Sequence, residues 1–150
     1  MKITIPPAIQ GPAYAVLSWI AADRFPDFSF NWSGFRFIAA GFAAAGLTII
    51  AIAISQFIKA KTTINPVNPE AAEKLVIKGL YRVSRNPMYV GVLLLLLAWA
   101  AYLQNVVSFV PPLVFVLTMT LFQIKPEEKV LRKKFGTDYD AYCRRVRRWI

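Results

Sequence analysis

From Phe37 to Ile58 the chain carries no charged residue. Wound as a helix at about 1.5 Å per residue, a run of that length crosses roughly 30 Å of hydrocarbon. No other feature constrains the fold as strongly. The bilayer core offers no water, so every backbone N–H and C=O must be satisfied within the protein, which leaves helices or closed barrels. Unbroken apolar runs, as opposed to alternating ones, select helices. Two more spans follow, Met88 to Leu103 and Val106 to Ile124, and Gln104-Asn105 between them makes a tight antiparallel hairpin. A weaker segment, Ala8 to Ala22, contains Gln10, Gly11 and Pro12, and reads either as a crossing or as a shallow re-entrant piece. Only 17% of the chain is charged and 57% is hydrophobic, whereas soluble domains carry about 25% charged residues. The expectation is an all-α integral membrane helical bundle in one domain, 1–150. It has about four transmembrane spans (8–22, 37–58, 88–103 and 106–124), a cytoplasmic loop 59–87, and a tail 125–150 of amphipathic helices.

Charge sets the orientation. Of the 18 basic residues, all but Lys2, Arg24 and Arg36 lie in the loop 59–87 or the tail 125–150. The positive-inside rule then places the loop, the tail and both termini in the cytoplasm. The net charge of +10 is accounted for by topology and by contacts to anionic lipid headgroups. No nucleic-acid motif accompanies it, so no nucleic-acid partner is expected. The absence of histidine and the single cysteine, Cys143, exclude imidazole bases, internal disulfides and multi-cysteine metal sites, and no metal is expected. Met1–Pro7 gives no sign of a cleavable signal peptide. Small residues around Gly41, Ala45 and Gly46 predict close helix packing within the chain. Pro111-Pro112 predicts a kink in the fourth span or a loosened outer end.

Two cytoplasmic elements look chemical. In the first, Gly79 to Gly91, Asn86-Pro87 reads as a helix start with asparagine at the N-cap and proline at the first helical position. Free N–H groups there, with Arg85 alongside, suit an anion. Arg85 and Tyr89 also read as ordinary interfacial anchors. Gly91 lets a ligand or a neighbouring helix come close. The second element is Pro126-Glu127-Glu128. Its acids are favoured in a first helical turn by the dipole alone, and they also suit a ligand's ammonium group. The helix is expected to stop at Gly136, a C-cap signal, and Thr137 to cap a last helix. That helix puts Tyr139, Tyr142, Val146 and Trp149 on one face among arginines, as an interfacial amphipathic helix does. A cation and N–H groups for a carboxylate, acids for an ammonium, and Tyr81 and Tyr89 for a cation or flat ring match the needs of S-adenosylmethionine. Methyl transfer from a sulfonium depends on alignment and desolvation, which a chain without histidine can supply.

Several stretches in this order resemble the membrane methyltransferases grouped with isoprenylcysteine carboxyl methyltransferase and phospholipid methyltransferase, most closely the small bacterial members. They are Thr62-Thr63-Ile64-Asn65-Pro66, Leu75 to Arg82, Arg85 to Gly91, Pro126-Glu127-Glu128, and Phe135 to Tyr142. The resemblance covers about Thr62 to Ile150. It implies cofactor contacts from Gly79, Tyr81, Arg85, Pro87, Tyr89, Gly91, Glu127 and Glu128; Asn86 is expected to join them, and Arg145 with Tyr142 to orient an acidic acceptor or, for the arginine, to contact a lipid headgroup. It implies a bacterial inner-membrane enzyme that uses S-adenosylmethionine to methylate a lipid or lipophilic molecule drawn from the bilayer. Asn86 stands where the eukaryotic isoprenylcysteine enzymes have histidine. The C-terminal architecture also resembles that of sterol reductases, so a nicotinamide-dependent membrane reductase is an alternative, and a non-catalytic membrane scaffold is another.

Overall fold

The computed structural model describes residues 7–60 and 75–150. Five α-helices are present there: α1 (Pro7–Arg24), α2 (Gly34–Ala60), α3 (Pro87–Leu103), α4 (Val110–Thr118) and α5 (Lys125–Arg145). The motif Thr62 to Pro66 lies outside the described residues, as do Lys61 and Lys74.

The chain is an integral membrane protein folded as an all-α bundle. α2 has a mean hydropathy of 2.4 over its most apolar stretch, and the helix from Val106 onward reaches 1.9. Large apolar side chains point outward, Phe37 being 81% and Phe122 69% exposed. Such surface is unfavourable in water and natural in lipid. α1 is a single helix through Gly11 and Pro12, at about 27 Å nearly the thickness of a bilayer core. It packs on α3 and α4. The Tyr14 hydroxyl meets Thr118 Oγ1 at 2.8 Å, and Trp99 Nε1 donates to the Ala15 carbonyl at 3.0 Å.

α2 and α3 cross at two glycines. A Cβ added to Gly46 would lie 2.8 Å from the Gly91 carbonyl oxygen, and one on Gly91 would lie 2.9 Å from that of Gly46 and 2.5 Å from Ile50 Cγ1. Only bare backbones fit this contact. The expected small-residue packing is therefore intramolecular at Gly46, while Gly41 faces open space.

The hairpin between α3 and α4 turns at Gln104, whose φ of 50° ends α3 in the left-handed conformation. This turn also holds the first inter-span loop. Phe30 N donates to the Gln104 carbonyl at 2.9 Å, Trp32 N to Gln104 Oε1 at 2.9 Å, and Asn105 Nδ2 to the Phe25 carbonyl at 2.7 Å.

The fourth span differs from expectation at both ends. Pro111 and Pro112 occupy the first turn of α4, after a 3₁₀ turn at Val106–Phe109, where a missing N–H is harmless. The outer end is thus re-wound and no mid-span kink forms. At the inner end no new helix begins at Pro126. One helix runs from Val106 to Arg145, with a π-helical segment at Met119–Ile124. Pro126 has no N–H to return to the preceding turn, and the wider π turn absorbs the mismatch. α5 bends at Gly136, where φ is 53° and ψ is −126°, so the expected break is present as a kink.

Candidate active site

The inner ends of α2 and α3, the start of α5 and the C-terminal segment converge on a cavity of about 90 Å³, whose lining includes Tyr81, Arg85, Asn86, Glu127, Glu128 and Tyr142. Sequence reasoning singled out each of these six residues.

Gly79 begins the 3₁₀ turn Gly79–Arg82 at a φ of 61°, and a Cβ there would meet the end of the Gln56 side chain. The left-handed backbone favours glycine here. The turn buries Tyr81, whose ring meets Phe57 edge-on at 5.3 Å. The Tyr142 hydroxyl donates to the Tyr81 carbonyl at 2.6 Å. Burial pushes both phenols above their usual range, so they are neutral donors.

Pro87 opens α3 as expected, but Asn86 does not cap it with its side chain. Asn86 Nδ2 instead donates to the Arg148 carbonyl at 2.9 Å, and the Asn86 N–H goes to Ser84 Oγ at 3.0 Å. The space over Gly91 is taken by Gly46 and Ile50 of α2, so its missing side chain serves helix packing.

The two acids divide sharply. Glu128 is buried and enclosed by cations: Arg85 Nη2 donates to it at 2.9 Å, while Arg148 Nε and Nη2 grip both oxygens at 2.9 and 2.8 Å. Glu127 has only neutral partners among the described residues. The Tyr89 hydroxyl donates to its Oε1 at 2.8 Å, and Gln123 Nε2 donates to the same oxygen. Burial pushes its carboxyl up to about 7, against the pull of those two hydrogen bonds. The helix is continuous here, so no free N-terminus is present to explain either acid by its dipole. Arg85 also lines the cavity, and its Nε is buried without an acceptor among the described residues. Buried polar groups are normally satisfied, yet among the described residues Arg85 Nε has no acceptor and Glu127 has no cationic partner.

Arg148 escaped the sequence reading, in which it was one of several similar arginines. The C-terminal segment holds it in place: Arg85 N donates to the Arg147 carbonyl at 3.0 Å, and Trp149 Nε1 to Thr120 Oγ1 at 3.0 Å. The apolar face expected on the last helix turns onto the protein itself, where Tyr139, Tyr142 and Val146 form a buried cluster with Leu75, Leu131 and Phe135. Arg145 lies outside the cavity, in a separate surface pocket with Arg82 and Ile77 that also reaches Tyr142.

Residues 35–138 match the phospholipid methyltransferase family. The chain belongs to this family. A relative from Schizosaccharomyces pombe named protein-S-isoprenylcysteine O-methyltransferase is 31% identical over 129 residues, covering 82% of this chain and 53% of that protein. Protein-S-isoprenylcysteine O-methyltransferase B of Arabidopsis thaliana is 32% identical over 80 residues, covering 53% of this chain and 41% of its own length. The chain thus spans about half the length of these two relatives. An uncharacterized protein of Haemophilus influenzae is 43% identical over 63 residues, its whole length and 42% of this chain. No solved structure matches the chain. Every candidate cofactor residue lies within the matched stretch, whereas Tyr142, Arg145 and Arg148 lie beyond it.

Proposed function

We propose that this chain transfers a methyl group from S-adenosylmethionine to a lipid or lipophilic acceptor at the cytoplasmic face of a bacterial inner membrane, with both termini on that side. The observation that carries the proposal is the incomplete zwitterion receptor in the cavity. Among the described residues Arg85 Nε lacks an acceptor and Glu127 lacks a cationic partner, and a free amino-acid end supplies one of each. Arg85 would take the carboxylate, Glu127 the ammonium, and Glu128 with Arg148 would hold the Arg85 guanidinium in place. A cavity of about 90 Å³ fits such an end group. Whole drug-sized ligands take roughly 300–1,000 Å³, so the remainder of the cofactor is assigned to the rim near Tyr81 and Gly79.

When bound, S-adenosylmethionine supplies an electrophilic methyl on a sulfonium. The protein's part is to align and desolvate the reacting groups, and its neutral phenols suit that role. The acceptor presents a nucleophilic carboxylate, amine or thiol. The two relatives described above from Schizosaccharomyces pombe and Arabidopsis thaliana are named as methyltransferases, which favours methyl transfer over nicotinamide-dependent reduction and over a scaffold role. The test is incubation of membranes holding the chain with methyl-labelled cofactor. Label is expected in the lipid-extractable fraction with the parent, and at least about tenfold less with Glu127→Gln. Equal labelling in membranes lacking the chain would overturn the proposal.

A further inference from the structure

At the end of the bundle opposite Glu127, beyond the Gly46–Gly91 crossing, α2 and α3 border a groove. The groove between them has a volume of about 470 Å³. On α2 it is lined by Arg36, Ala39, Ala40 and Ala43, and on α3 by Leu95, Ala98, Trp99 and Tyr102. Each set follows the i, i+3, i+4, i+7 spacing of one helix face. The helices run antiparallel, so Arg36 stands level with Tyr102 at the mouth and Ala43 with Leu95 at the floor. The groove therefore runs about 10 Å along the helix axes, open to its surroundings and apolar except for Arg36 at one end.

Arg36 needs an explanation. It is exposed and has no ion pair among the described residues. It lies in the first turn of α2, which holds no acid, and a cation at that end opposes the helix dipole. It also runs against the charge bias that sets the topology of the chain. Arg24 offers a contrast. It too borders an apolar groove, of about 310 Å³ between α1 and α4, but it sits in the last turn of α1, where the dipole favours a cation.

We propose that the α2–α3 groove is a binding site for one anionic phospholipid. The phosphate pairs with Arg36 at the membrane surface, and an acyl chain runs down the alanine face toward Leu95. Trp99, held by its hydrogen bond to the Ala15 carbonyl at 3.0 Å, stacks on Tyr102 at 5.6 Å, so the aromatic wall is rigid. This site is separate from the proposed cofactor cavity, and its test does not depend on methyl transfer.

The test is native mass spectrometry of the purified chain in detergent. The probes are phosphatidylglycerol and a diacylglycerol with the same chains. The expected result is one phosphatidylglycerol per chain and no comparable retention of diacylglycerol. Arg36→Gln removes the phosphate contact, and Ala40→Leu, at an exposed position, fills the groove. Each should weaken retention at least about tenfold. Arg24→Gln removes the same charge from the same end and should leave retention unchanged. Equal loss from both arginine variants would reduce the effect to general surface attraction and overturn the proposal. Equal retention of diacylglycerol would do the same, as would a dimer whose formation is blocked by Ala40→Leu.

Discussion

Glu127 and Glu128 are neighbours with opposite electrostatic fates. Glu128 is neutralised by two arginines, and Glu127 is held by a phenol and an amide. Burial lifts the Glu127 carboxyl from 4.5 to about 7. The folded chain then keeps a proton that the unfolded chain has lost, so between those values its contribution to stability falls as pH rises. Ligand binding has the opposite sign. An ammonium pairs with the carboxylate form, so binding expels the proton below about pH 7. Affinity for S-adenosylmethionine should drop about tenfold per pH unit on that limb, and decline again above about 8 as the ligand's amine deprotonates. In Glu127→Gln the acid limb should vanish. Titrations of both proteins across pH 5–9 check this, and an unchanged acid limb in the variant would assign it to another group. Arg85 is tested by geometry at constant charge. Its Nη2 is committed to Glu128 while its buried Nε has no acceptor among the described residues, and lysine offers no such fixed fork of donors. Arg85→Lys should lose at least about tenfold in cofactor affinity, and Arg82→Lys, exposed on the neighbouring turn, should lose little. Parallel behaviour of the two would make Arg85 an interfacial anchor.

Elements were legible in the sequence where local chemistry determines them. The spans from Phe37 and Met88, the turn at Gln104 and the break at Gly136 each follow from an apolar run or a residue with particular backbone freedom. What stayed hidden depends on tertiary partners. Pro126 has the local signature of a helix start, yet the chain stays helical through it because a π turn tolerates the missing N–H. Gly91 reads equally as a ligand approach or a helix contact, and only the opposing Gly46 decides between them. The pairing of Arg148 with Glu128 joins residues across the Gly136 kink, and no local pattern separates Arg148 from Arg147 or Arg144. The helix contact makes a direct prediction. Gly91→Ala puts a methyl against a backbone carbonyl that cannot yield, and overpacking of this kind costs about 1–3 kcal/mol. Gly41→Ala adds a methyl to open space and should be neutral or slightly stabilising. Thermal melts in detergent by circular dichroism should show a lower transition for Gly91→Ala alone. Matching melts would mean that the α2–α3 crossing is looser than the structure shows.

At the scale of the whole molecule, the lipid-facing surfaces of α2 and the fourth span embed the bundle, and the basic loop and tail favour a cytoplasmic inner end. The polar cavity lies at the end of the bundle that carries the start of α5. The outer end closes on itself through Gln104 and Asn105. This division suits an enzyme that takes one reactant from each phase. The most direct measurement is a calorimetric titration of the purified chain with S-adenosylmethionine at pH 7.5, with NADPH titrated in parallel. The account predicts one bound S-adenosylmethionine per chain, no NADPH binding, and an affinity at least about tenfold weaker in Glu127→Gln. Binding of NADPH, or S-adenosylmethionine binding that is undiminished in Glu127→Gln, would contradict it.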